Sequence, residues 1–286
     1  MAIFDEVLMT VDFDRTLTGP DAQIPQRNLD AIAFFMENGG KFTVNTGRSV
    51  VTFGEYLGNI PVNAPILMYN GSIRWEDGRL FGEKLIDLPM WQTLRQVVRE
   101  FPDMNIEVQG LRSHYLVEPS AQTVVFYDTL GWRYSLAEDG QDLGPFLKFA
   151  VMGTPKTYEV ATLYDTDAQE QERFDYVEAR INQLLGDKIV TYRAAPRIID
   201  VHARGVSKGN AARELLNDLG RSILVCVGDA ENDISMLEEA DYGFCPADAT
   251  IADRYTNVCT CGEGAIADVI YKKIPEILGI RLDNVR

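Results

Sequence analysis

Two carboxylates one residue apart, Asp12 and Asp14 in VDFDRTLTG, follow directly on the apolar run Val7-Leu8-Met9-Thr10-Val11. Charge at the end of a buried-looking strand is costly unless something there uses it. Three further polar clusters occupy comparable positions. They are Thr46-Gly47-Arg48 after a second apolar run, Lys208 at the start of a helical pattern, and Gly228-Asp229-Ala230-Glu231-Asn232-Asp233 after Ile223-Leu224-Val225-Cys226-Val227. In open parallel sheets ligands bind beyond the carboxyl ends of the strands, so the clusters are expected to meet.

Asp12, Asp14, Asp229 and Asp233 brought together would force one another to protonate unless a cation neutralised them. Hard oxygen donors, with only His114 and His202 in the chain, suit Mg²⁺. Thr46 and Lys208 add a hydroxyl and a permanent cation, as an anionic group requires, and the inferred ligand is a phosphate. At such a site one carboxylate can attack phosphorus to give an aspartyl-phosphate that water later cleaves, while a second moves protons. The cation and the lysine would stabilise charge on the transferring group. Taken singly, each feature is ordinary. An Asp-x-Asp is common on loops, Thr46 could cap a helix at residue 49, and Gly228-Asp229 could be a turn. A lysine in the first turn of a helix opposes the macrodipole, which calls for an anion beside it.

These residues need a scaffold that alternates strands with helices. Residues 6–12, 42–45 and 65–69 read as strands, and Leu29, Ile32, Ala33 and Met36 recur at helical spacing between Pro25 and Gly39. A second helix is expected from Ser49 to about Leu57, and 70–79 reads as a hairpin around Asp77-Gly78. The pattern then changes to helices at 90–100 and 169–185 among paired strands at 105–109, 114–117, 146–152, 188–192 and 197–201. After residue 204 the first pattern returns, with helices at 208–219 and 233–239 around a strand at 222–227. The spacing predicts a discontinuous α/β core, 1–82 and 204–286, with an inserted α+β domain at 83–203.

DFDRTLT, NTGRS, VSKGNA and VGDAENDISML together resemble the four ordered motifs of the haloacid dehalogenase-like (HAD) phosphatases. The insertion between the second and third motifs resembles the subgroup with a type-2 cap, most like the Cof-type sugar phosphatases, as do YNGS at 69–72 and RGVSKGNAA at 204–212. The resemblance covers the whole chain and implies a Rossmann-like parallel sheet core with a cap domain. It implies Asp12 as nucleophile and Asp14 as general acid and base, with Thr46 and Lys208 binding phosphate. Asp12, the backbone carbonyl of Asp14 and Asp229 would hold Mg²⁺, with Asp233 as a further ligand or a neighbour through water. Asn232 would lie near the phosphate or Lys208, and Gly47, Arg48 and Asn70 are candidates at the substrate entrance. Many members carry glycine where this chain has Arg15.

With 27 basic and 43 acidic residues the net charge is −16, which repels nucleic-acid phosphates and offers no polybasic membrane patch. No apolar run reaches the length of a membrane span, and acids near the N-terminus replace the basic start of a secretory signal, so a cytoplasmic protein is expected. Cys226, Cys245, Cys259 and Cys261 lack zinc-finger spacing and read as packing residues. The leading expectation is a Mg²⁺-dependent phosphatase of a small phosphorylated metabolite. A phosphomutase or other phosphotransferase and a non-enzymatic phospho-receiver are the alternatives.

Overall fold

The computed structural model describes residues 2–111, 113–159, 162 and 165–282. The chain forms two compact units. The first comprises Met1–Thr46, Tyr56–Arg79 and Ser207–Arg286, and the second Gly47–Glu55 and Leu80–Val206.

The first unit is built on a parallel sheet of β1 (Val7–Val11), β2 (Lys41–Val44), β12 (Ile223–Val227), β13 (Tyr242–Pro246) and β14 (Thr256–Val258), in the order β14-β13-β12-β1-β2. Every residue of β1 is buried, as expected of a central parallel strand with both faces covered. Its register, Val11 opposite both Val227 and Val44, brings three strand ends level. On one face α6 (Lys208–Asp218) and α7 (Ile234–Glu239) pack Ala212, Leu215, Met236 and Leu237 against Leu8, Leu224 and Cys226. Elsewhere α1 (Gln26–Glu37) follows Pro25, buries Ala31, Ile32 and Phe35, and lies beside α8 (Ala265–Asp268). The short β3 (Ile66–Met68) continues from a parallel bridge between Asn45 and Leu67 and pairs antiparallel with β4 (Ile73–Glu76). Asp77 and Gly78, both at positive φ, turn the chain into β5 (Arg79–Phe81), the backbone a two-residue hairpin requires.

The second unit centres on a six-stranded sheet, order β10-β11-β9-β6-β7-β8. The strands are β6 (Asn105–Gly110), β7 (His114–Val117), β8 (Ser135–Leu136), β9 (Phe146–Met152), β10 (Ile189–Ala195) and β11 (Ile198–Ala203). Alternation along the strands puts Ile106, Val108, Phe149, Val151, Ile199 and Val201 on one face. There they meet Leu94 and Val97 of α3 (Met90–Glu100) and Phe174, Val177 and Ile181 of α5 (Ala168–Leu185). No helix among the described residues is long and apolar enough to cross a membrane; α9 (Ile274–Leu278) closes the described chain.

One expectation is corrected. The helix over 49–57 is one turn only, α2 (Val50–Phe53), capped by Ser49 and followed by Gly54. The sequence pattern gives no sign of one helix, α4 (Ala121–Leu130), capped by Ser120. Its Phe126 and Tyr127 are buried against Trp132, so that tryptophan packs in the second unit. Both histidines are buried in the second unit: His114 is 2% and His202 0% exposed.

Candidate active site

The level strand ends set the floor of the site. Asp12 N–H donates to the Val227 carbonyl at 2.9 Å and Asn45 N–H to that of Val11 at 2.8 Å, so the residues after β1, β12 and β2 start from one stitched edge. After Asp12 the chain makes a tight turn over Phe13–Leu17, in which Thr18 Oγ1 donates to the Phe13 carbonyl and accepts from Arg15 N–H. Arg15 sits there at φ 58°, ψ 13°, a left-handed conformation that costs a residue with a Cβ about 1–2 kcal/mol. Its side chain is exposed, and its charge favours the ionised forms of Asp229 and Asp248.

Lys208 opens α6 behind the cap Ser207, whose hydroxyl accepts from Asn210 N–H. Its ammonium is fully buried, 2.5 Å from Asp12 Oδ1 and 2.6 Å from Asp233 Oδ1. Asn45 Nδ2 holds the Lys208 carbonyl at 2.9 Å. Two glycines make this packing possible. A Cβ on Gly209 would lie 2.1 Å from the Ser235 carbonyl oxygen, and one on Gly228 would lie 2.4 Å from Asp233 Cβ. Asp233 Oδ2 accepts from the amides of Asp229 and Ala230, and Thr16 Oγ1 donates to Asp229 Oδ1 at 2.9 Å.

Asp12, Asp229 and Asp233 each present a carboxylate oxygen within 4.8 Å of the others. Burial pushes the Asp12 carboxyl well above the usual range; the charges of Asp233, Asp229 and Asp14 add to this, against Lys208. Asp229 is pushed up to about 7 by burial and Asp233, opposed by the Thr16 hydrogen bond, Lys208 and Arg15. The lysine is held above its ordinary value: burial disfavours its charge, and Asp12 and Asp233 outweigh that. Three buried carboxylates lie around one ammonium, and two of them resist ionisation because burial and their acidic neighbours outweigh it. Such an all-oxygen donor set fits a hard divalent cation.

The structure therefore brings Asp12, Lys208, Asp229 and Asp233 into direct contact or near-contact. The Asp14 side chain, half-buried, stands outside the carboxylate triad. Thr46 is buried, with its amide on the Leu67 carbonyl and its own carbonyl accepting from Asn70 N–H. Asn70 is held at φ 53° and accepts from Asn232 Nδ2 at 3.4 Å. Gly47 and Arg48 fall in the second unit, where Arg48 Nη1 donates to the Thr52 carbonyl. Sequence reasoning gave no role to Thr16, Asn45 and Gly209, and read Gly228 only as part of a polar cluster or turn. Each adjoins or nearly adjoins a residue that was singled out, and its role appears only when distant segments meet.

A sequence model of the haloacid dehalogenase-like hydrolases matches residues 9–261, and the chain belongs to that family. Solved structures share the fold. A haloacid dehalogenase-like hydrolase from B. subtilis is 18% identical over 93% of this chain and 99% of its own, with a TM-score of 0.74. One from Bacteroides thetaiotaomicron is 21% identical over 93% and 98%, with a TM-score of 0.73. A sugar phosphatase of HAD subclass IIB is 17% identical over 95% and 98%, with a TM-score of 0.72.

Proposed function

We propose that this hydrolase is a Mg²⁺-dependent phosphatase of a small phosphorylated metabolite, with sugar phosphates the first class to test. The observation that carries the reading is the buried ammonium of Lys208 clamped between Asp12 and Asp233, beside an Asp229 that lacks a full counter-charge. The sugar phosphatase of like fold supports the choice of substrate class.

Lys208 and a cation together answer the excess negative charge, which lets Asp12 act as a carboxylate. Asp12, Asp229, Asp233 and the Asp14 backbone carbonyl would hold a divalent ion, which would supply that neutralisation and offset charge on the phosphoryl group. Lys208 fixes one oxygen of Asp12, and the other attacks phosphorus. As the Asp12 O–P bond forms, the ester P–O bond breaks and Asp14 gives its proton to the leaving oxygen. Asp14, now a carboxylate, takes a proton from water. That water attacks phosphorus, releases phosphate and restores Asp12. Thr46 and Asn232 hold phosphoryl oxygens, and Gly47, Arg48 and Asn70 remain candidates for binding the substrate. The second unit corresponds to the family's cap domain, and recognition of the leaving group is assigned to it.

The test is hydrolysis of p-nitrophenyl phosphate and a panel of sugar phosphates with Mg²⁺, read as free phosphate. Asp12→Asn is expected to lower kcat by ~10⁴-fold or more, as loss of a nucleophile does. Full activity in that variant rejects the assignment.

A further inference from the structure

The second unit buries a polar network that the chemistry above does not use. On the sheet face opposite the apolar core lie Glu107, Gln109, His114, Lys148 and Asp200, none more than 6% exposed. His114 Nε2 is 2.7 Å from Ser49 Oγ. Its Nδ1 approaches Glu107 Oε1 to 2.6 Å, a charge contact out of line for a straight hydrogen bond. A ring lone pair facing a carboxylate at that distance would be repelled, so Nδ1 carries the proton. Gln109 Nε2 donates to the other Glu107 oxygen at 2.7 Å. Burial works against the charge on Glu107, yet His114, Gln109 and Lys148 prevail and hold its carboxyl below the usual range. Lys148 Nζ contacts Asp200 Oδ2 at 2.6 Å and the Gly47 carbonyl at 3.3 Å.

The network grips residues 47–55. That segment contains only the one-turn α2, whose cap is Ser49: Thr52 N–H donates to Ser49 Oγ, and Ser49 N–H to Thr52 Oγ1, both at 3.1 Å. A single helical turn does not hold itself in place. Yet the segment follows Thr46 by one peptide bond.

We infer that His114, oriented by Glu107, is a positioning residue for the phosphate-binding threonine: it fixes Ser49 while Lys148 fixes Gly47, and together they hold the chain leaving Thr46 in one conformation. The inference rests on the role proposed for Thr46. A serine, histidine and acid in a row resemble the relay of nucleophilic hydrolases. Here, however, the serine is 2% exposed and its oxygen caps a helix, so the row acts as a tether.

The experiment combines steady-state kinetics on p-nitrophenyl phosphate with amide hydrogen exchange across 47–55. His114→Ala is expected to raise KM about tenfold while kcat stays within about threefold, the scale of losing one hydrogen bond to an ionisable group. Exchange across 47–55 is expected to quicken by about tenfold or more as the segment opens locally. His114→Gln, whose side-chain amide oxygen can accept from the Ser49 hydroxyl near the position of Nε2, recovers most of KM, and Ser49→Ala reproduces the faster exchange should His114→Ala fail to fold. Val177→Ala, a core truncation on α5, lowers Tm and leaves KM and the 47–55 exchange unchanged. Wild-type KM and exchange in both the His114 and Ser49 variants, or an equal KM rise in Val177→Ala, overturns the positioning role. A wild type that hydrolyses no phosphate ester rejects the proposed function itself, and the inference with it.

Discussion

The two units each bury a cluster of charged side chains, and they balance it differently. In the first unit Asp12, Asp229 and Asp233 lie around one lysine, and the carboxyls of Asp12 and Asp229 are driven upward. In the second unit acids and bases come in pairs. Glu107 faces His114 and is held below its ordinary range, and Asp200 faces Lys148, which limits the rise that burial imposes on it. His202 lies neutral beside them, its pKa lowered by burial and by Lys148. Buried charge that is matched serves structure; buried charge left short of a counter-ion is arranged for a ligand.

Removing the lysine from each cluster tests that difference. Lys208→Met leaves Asp12 and Asp233 unpaired and is expected to cost about 3–5 kcal/mol in metal-free protein, the scale for breaking a buried ion pair. Lys148→Met should also lower stability, through Asp200. Thermal unfolding with and without Mg²⁺ separates them, because added Mg²⁺ should recover part of the loss only in Lys208→Met. Equal recovery in both variants would erase the contrast.

Proton linkage gives the next effect. An acid whose folded-state pKa is raised contributes stability below its unfolded value of about 4, and that contribution is lost as pH rises through the folded value. For Asp229 the folded value is about 7, and Asp12 shifts in the same direction. The metal-free protein should therefore weaken between about pH 4 and pH 7 from these groups. Mg²⁺ competes with protons for the same oxygens. Its stabilisation, ~2.7 kcal/mol at a hundredfold excess over Kd, should be realised at pH 8 and largely lost at pH 5. A Tm gain independent of pH would contradict a carboxylate site.

Arg15 offers the smallest effect. Arg15→Gly relieves the left-handed strain but loosens the unfolded chain, and the two terms nearly cancel to within about 1 kcal/mol. Loss of its charge should raise the Asp229 pKa further and shift the pH at which Mg²⁺ begins to stabilise upward. An unchanged midpoint would show that Arg15 does not act on the acids.

The site was legible because Asp12 and Asp229 each follow closely on a short apolar run that reads as a buried strand, while Lys208 opens a helix whose dipole disfavours its charge. The inserted α+β segment was legible from the change of pattern after residue 82. The rest depends on distant contacts. In α4 the consecutive Val124-Val125-Phe126-Tyr127 obscure any helical stripe, although the helix buries Thr123, Phe126 and Tyr127. Residues 49, 107 and 114 share no local pattern, and only the pairing of β6 with β7 sets Glu107 and His114 on one face, diagonal to each other.

The central claim is that Asp12 becomes phosphorylated. Asp14→Asn should slow release of the phosphoryl group more than its capture, since the residue would no longer activate water. Acid-quenching this variant during turnover and weighing its peptides is expected to show one added HPO₃ on the peptide containing Asp12, and none in Asp12→Asn. Phosphate release with no labelled peptide in any variant, or the label on another residue, would contradict the account.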